Sequence, residues 1–125
     1  ILELVENCKN EVMITLPEVG IDLVKQALPK LRALHDKGVK ITILTSDKID
    51  KESIASIKRV AEIKIKKGLF GGGIISDKRY VVILLGPEVA GENSSEVIAI
   101  WADHIGLAGF ARQYFEYLLK DSKKV

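Results

Sequence analysis

Apolar and polar residues follow one another in short blocks whose spacing predicts most of the elements. Residues 11 to 16, EVMITL, form a β-branched run stopped by Pro17 and predict a strand. Gly20 and Asp22 introduce Ile21, Val24, Ala27, Leu28, Leu31 and Leu34, which recur at helical spacing and end at Lys37 and Gly38. Pro29 falls inside that pattern. A proline there removes a hydrogen bond at a cost of about 3 kcal/mol, so a kink or two shorter helices are expected, with Leu28 pushed toward extended geometry. Residues 39 to 44, VKITIL, predict a strand buried between layers. Asp50 is placed to cap a helix in which Ile54, Ile57 and Ala61 share a face. Residues 62 to 66, EIKIK, then alternate as a half-exposed strand does, with Glu62, Lys64 and Lys66 on the wet side.

The second half predicts strands at Gly73 to Ser76 and Tyr80 to Leu85, joined by a hairpin turn at Asp77, Lys78 and Arg79. Residues 86 to 95 form the one long loop, and Val97 to Trp101 a further strand. Asp103 is expected to cap a last helix whose inner stripe is Leu107, Ala111, Tyr114 and Leu118. The tail at 121 to 125 is expected to fray. At the other end Ile1, Leu4, Val5 and Cys8 have helical spacing with no capping residue ahead of them, which reads as the end of a linker helix over residues 1 to 10 in a longer protein. Proteolytic processing or disorder would leave the same pattern. The order α, β, α, β, α, β, then β, β, β and α predicts a three-layer α/β/α sandwich with a mixed sheet, parallel early and antiparallel late.

Length and composition narrow the picture. At 125 residues the chain has room for a single domain over 1–125, and 47% hydrophobic with 29% charged residues is the balance of a globular protein. Without a run of about 18 apolar residues or a signal peptide, a soluble, cytoplasmic protein away from membranes is expected. Cys8 is the lone cysteine, so neither an internal disulfide nor a thiolate cage can form, and His35 and His104 are too few for a metal site without carboxylates. No cofactor or metal is expected. A net charge of +2 is too small for this domain alone to grip nucleic acid. The excess of lysine over arginine, with abundant isoleucine and glutamate, weakly suggests a thermophile.

The candidate chemistry centres on GLFGGGIISDK, residues 68 to 78. A phosphate loop follows a strand and opens a helix, whose N–H groups point at the anion. These glycines lead into a strand instead, so close backbone approach or positive φ at Gly71, Gly72 and Gly73 is the favoured reading. Lys58, Arg59, Lys64, Lys66 and Lys67 read as a solvated face before an acidic-partner patch. Neither histidine has the neighbours of a triad. Gly106 and Gly109 within a helix, close to Trp101 and Asp103, suggest close approach of the protein's own sheet, a dimer partner or a ligand.

EVMITLP, VKITIL, GGGIISDKRYVVILLG and above all IAIWADHIGLAGFARQYFEYLL resemble the middle domain of the TrmB-like archaeal transcriptional regulators, over nearly the whole chain. The resemblance implies an effector or dimerisation domain behind a winged helix-turn-helix, joined to it by a helix. Such a domain pairs with its own copy, meets DNA through a domain outside this chain, and takes a small-molecule effector. In the sugar-sensing members an additional C-terminal domain holds the saccharide, so sugar binding does not carry over to residues here. The domain is also similar to half of a phospholipase D fold, whose motif is H-x-K-x-x-x-x-D. With Asp77 on the motif's aspartate, the histidine position falls on Phe70 and the lysine position on Gly72. Nucleophile and cation are both missing, so no catalytic residue and no enzymatic activity are expected, and Asp77 is left to a turn. A ligand cleft at Gly71, Gly72 and Gly73 with Asp103 remains as the expectation. A phosphodiesterase with an altered site, using His104, and a stand-alone small-ligand sensor are the rivals.

Overall fold

The computed structural model describes residues 7–16, 21–67, 72–85 and 98–124. The elements are β1 (Glu11–Leu16), α1 (Ile21–Gln26), α2 (Leu28–Asp36), β2 (Lys40–Thr45), α3 (Lys51–Lys58), β3 (Glu62–Ile65), β4 (Gly72–Ser76), β5 (Tyr80–Leu85), β6 (Ile98–Asp103), α4 (Ile105–Lys120) and β7 (Lys123–Lys124). One sheet of seven strands has the order β6-β5-β4-β1-β2-β3-β7. β1, β2 and β3 run parallel, because helices carry each connection between them. β4, β5 and β6 pair antiparallel, and β4 joins the parallel half along β1.

Sheet pleating assigns neighbouring apolar residues to opposite cores. Val12, Ile14, Ile43, Ile74 and Val82 pack with Val24 of α1, Leu31 and Leu34 of α2 and Ile57 of α3. Met13, Leu44, Ile75 and Val81, each next in sequence to one of those, pack instead with Ala108, Phe115 and Leu118 of α4. The result is the three-layer α/β/α arrangement with a mixed sheet that the pattern predicts.

Pro29 divides the first helical pattern in two, and Ala27, at φ −89° and ψ −1°, is the residue before the second helix. Leu28 is helical and not extended, because Pro29 falls in the opening turn of α2, where an N–H would have no partner within the helix. α2 ends in a Schellman turn: the N–H of Gly38 donates to His35 O at 3.0 Å and that of Val39 to Leu34 O at 3.0 Å. Gly38, at φ +88°, supplies the left-handed residue this turn needs. Asp50 caps α3, accepting from the N–H of Ser53 at 3.1 Å, and this hydroxyl and amide of Ser53 hold its carboxyl below the usual range.

The last helix departs from expectation in two ways. Asp103 stays in β6, paired with Tyr80, and His104 is the cap, its Nδ1 accepting from the N–H of Leu107 at 3.0 Å. The inner face is Ala108, Phe115 and Leu118, while Tyr114 is exposed. The tail is not frayed throughout: Lys123 and Lys124 pair antiparallel with Ile65 and Lys64. Lys66, expected in a strand, lies just past β3 and reaches Asp121 at 3.7 Å. Residues 1 to 6 of the expected linker helix and the loop at 86 to 95 lie outside the described residues, while residues 7 to 10 turn and bend into β1 and are not helical.

Candidate effector groove and the degenerate motif

The β4–β5 hairpin turns on Asp77 and Lys78, both at positive φ (+54° and +61°), and closes with the N–H of Arg79 donating to Ser76 O at 3.1 Å. This is the hand of a type I′ turn, which matches the twist of paired strands. The left-handed backbone aims the Asp77 carboxylate across the sheet at the approach to β1. Its Oδ2 accepts from the N–H of Lys9 at 2.8 Å, and its Oδ1 from those of Asn10 at 2.8 Å and Glu11 at 3.1 Å. The Cys8 thiol also reaches Oδ1, at 3.2 Å. Desolvation pushes the Asp77 carboxyl up, but these donors together outweigh it and hold the group below its ordinary value. Burial pushes the Cys8 thiol up, so it remains a protonated donor. Asp77 therefore clasps the β4–β5 turn to the distant backbone segment that leads into β1.

The other motif positions lead elsewhere. Phe70 and Gly71 lie outside the described residues. Gly72 begins β4, and Gly73 pairs with Thr15 on one side and Ile83 on the other. The Ile83, Gly73, Thr15 and Leu44 positions form one row across the α4 face of the sheet. Since Gly73 has no side chain, the row has a hollow at its centre, and α4 roofs it with Leu107, Phe110, Ala111 and Tyr114. The groove so formed has a volume of about 340 Å³. Gly73 is also held by its neighbour, because a Cβ there would lie 2.9 Å from the Val82 carbonyl oxygen. Thr15 lines the groove, and its Oγ1 is buried with no hydrogen-bond partner among the described residues.

Asp103 does not join this groove. It pairs with Tyr80, which pairs with Ser76, so it stands at the opposite end of the strands from Gly72, and its carboxylate takes Arg79 Nε at 2.7 Å. Gly106 makes room for the capping imidazole, since a Cβ there would meet His104 Cε1 at 2.8 Å. Gly109 faces open space. His35 is exposed beside Asp36 at 3.5 Å, and Lys58, Arg59 and Lys67 are exposed. Among the described residues no cluster of His, Cys, Asp and Glu could hold a metal, and no helix is long and apolar enough to cross a membrane.

Two features escape the sequence reading. Thr15 is the one polar residue among the apolar positions 12 to 16 of β1 and lies on the face opposite Ile14 and Leu16, a phase that alternation alone reveals. Phe110, Tyr114 and Tyr117 recur at i, i+4 and i+7 along α4 and are exposed, Phe110 at 72% and Tyr117 at 63%. They form an aromatic stripe along α4; Ile100, Trp101 and Ile105 are exposed too, but Trp101 pairs with Val82 and so lies on the sheet face away from α4.

Known folds of this geometry include that of Nuc from Salmonella typhimurium, a phospholipase D family member, at TM-score 0.74 and 14% identity over 99% of this chain and 87% of that one. NucT from Helicobacter pylori gives 0.76 and 15% with the same coverage of both chains. TrmBL2, an archaeal chromatin protein, gives 0.75 and 18% over 99% of this chain, which spans about half (49%) of TrmBL2. At these identities the likeness establishes the fold. No curated protein matches the chain in sequence. The family model for the N-terminal subdomain of the effector-binding domain (EBD) of transcriptional regulator TrmB matches residues 1–125, and the chain belongs to that family.

Proposed function

We propose that this domain is the non-catalytic effector and dimerisation part of a TrmB-like regulator of the sugar-sensing type, acting in the archaeal cytoplasm. It meets DNA through a winged helix-turn-helix outside this chain. Two copies pair through the exposed aromatic stripe of α4, and the pairing sets the spacing of two winged helices on DNA. A small effector bound near Gly72 and Gly73 shifts that spacing by favouring one arrangement of the pair.

The exposed aromatic stripe carries the reading. Large aromatic side chains bury roughly 150–250 Å² each, so Phe110, Tyr114 and Tyr117 of α4 together supply several hundred of the roughly 800 Å² per partner that a stable interface needs. Light scattering at high micromolar concentration should return twice the chain's mass of 13.8 kDa. A strictly monomeric species would remove the pairing.

The phospholipase D likeness favours one rival, a phosphodiesterase with an altered site. Against it stand glycine at the lysine position, phenylalanine at the histidine position, and a His104 whose Nδ1 is engaged as a helix cap. Incubation with bis(p-nitrophenyl) phosphate should release no nitrophenol without added metal. Turnover that disappears in His104→Ala would replace our reading with the enzymatic one.

A further inference from the structure

We infer that the groove between α4 and the row Ile83, Gly73 and Thr15 is a binding site for a small, uncharged, mainly apolar molecule bearing one hydrogen-bonding group. The inference rests on the effector-domain reading and names the chemistry of its ligand.

Size comes first. At about 340 Å³ the groove stands at the lower end of the roughly 300–1,000 Å³ of ligand sites. The hollow exists because Gly73 interrupts a row of larger residues, and β5 forbids a side chain there through the Val82 carbonyl. It is therefore built into the strand pairing and persists when α4 side chains change rotamer.

Charge decides the class. Among the described residues that line the groove none is Lys, Arg, Asp, Glu or His. A phosphate or carboxylate would be stripped of water with no cation to meet it. A saccharide presents hydroxyls around its whole ring, and among the described residues side-chain partners here are confined to Thr15 and the Tyr114 hydroxyl. The saccharide of a sugar-sensing regulator would thus be held elsewhere.

The Thr15 hydroxyl supplies the polar contact. Its oxygen is buried without a partner among the described residues, in a side chain that lines the groove, although buried hydroxyls are nearly always paired. A hydroxyl both donates and accepts, so an alcohol, a carbonyl or an amine N–H on the ligand would satisfy it.

This is not a relic of phosphodiester chemistry. In a strand, positions 72 and 74 share one face, and Ile74 packs against α1, α2 and α3. A lysine at position 72 would project to that side, whereas the hollow opens toward α4. Phe110 and Tyr114 roof the groove and also belong to the aromatic stripe proposed for pairing, so an occupant of the groove would bear directly on the second copy.

N-phenyl-1-naphthylamine, a neutral two-aromatic probe with a single N–H whose fluorescence rises in apolar surroundings, tests the site on the full chain. One saturable site per chain is expected. Thr15→Val keeps the shape and removes the hydroxyl, and should weaken binding about fivefold without lowering the melting temperature. Ala111→Trp should abolish binding by filling the groove. Ala111→Met, a milder filling, serves if circular dichroism shows the tryptophan variant misfolded, and should weaken binding more than tenfold. Tyr117→Ser, outside the groove, should leave it unchanged. Absence of saturable binding, binding indifferent to changes at Thr15 and Ala111, or displacement of the probe by millimolar maltose would each overturn the inference. Light scattering on the same samples separates it from the pairing reading: a monomer that binds the probe supports the groove while ending the pairing, and a dimer that does not bind it does the reverse.

Discussion

Asp77→Ala is expected to destabilise the fold by about 3 kcal/mol in urea denaturation, which is severe for a domain of this size. A hydrogen bond to a charged acceptor contributes about 1.5–3 kcal/mol, and three backbone N–H groups lose theirs. The sum is discounted because the amides of Lys9 and Asn10 are exposed and find water. Alanine at φ +54° adds about 1 kcal/mol, since aspartate tolerates the left-handed region better. Asp77→Asn keeps an acceptor and the turn, and should cost about 1 kcal/mol. The two variants also separate by pH. The folded carboxyl titrates below its ordinary value, so its contribution is complete above the unfolded pKa of about 3.9 and is lost as pH falls through the folded pKa. The stability gap between wild type and Asp77→Asn should be flat above about pH 5 and close progressively below pH 4. A gap independent of pH down to 2 would mean that the charge of Asp77 does not hold the clasp.

Gly73→Ala should cost about 2 kcal/mol by the same measurement. Alanine lowers the entropy of the unfolded chain and would by itself stabilise by about 0.4–1 kcal/mol. Opposing this, its Cβ would sit 2.9 Å from the Val82 carbonyl, a backbone atom held in the β4–β5 ladder, so a strand must shift. Overpacking of this kind costs about 1–3 kcal/mol and dominates. Gly109→Ala offers the contrast, because nothing lies within 4 Å of its Cβ position and helix propensity favours alanine. Equal effects from the two substitutions would refute the close-approach account of Gly73.

Most of the architecture was legible because it rests on local signals. Period-two and period-3.6 apolar patterns placed the strands and helices, Asp50 its cap, and Pro29 the division of the first helix. Where local signals compete, the reading slipped. Asp103 and His104 stand side by side at the start of α4, and aspartate is the better cap by propensity, yet β6 pairing extends through Asp103 and leaves capping to His104. Tyr114 shares the helical spacing of the inner residues but points to the groove rim, a phase that depends on how α4 lies on the sheet. The clasp of Asp77 was invisible because its partners lie 66 to 68 residues earlier. Thr15 and Gly73 likewise come together only through antiparallel pairing of β1 with β4. The motif comparison did identify which reactive groups position 70 and position 72 lack, since that question needs residue types alone.

The two-residue strand β7 has an effect out of proportion to its length. The chain divides at the end of β3 into an early parallel half and a late antiparallel half, and the halves share the β1–β4 seam. β7 belongs by sequence to the late half but pairs at the outer edge of the early one, beside β3. The late half thus reaches around its partner, and the two cannot part as separate cooperative units while β7 stays paired. Detachment of this short edge is the cheapest opening available, and only after it does peeling along the seam become possible.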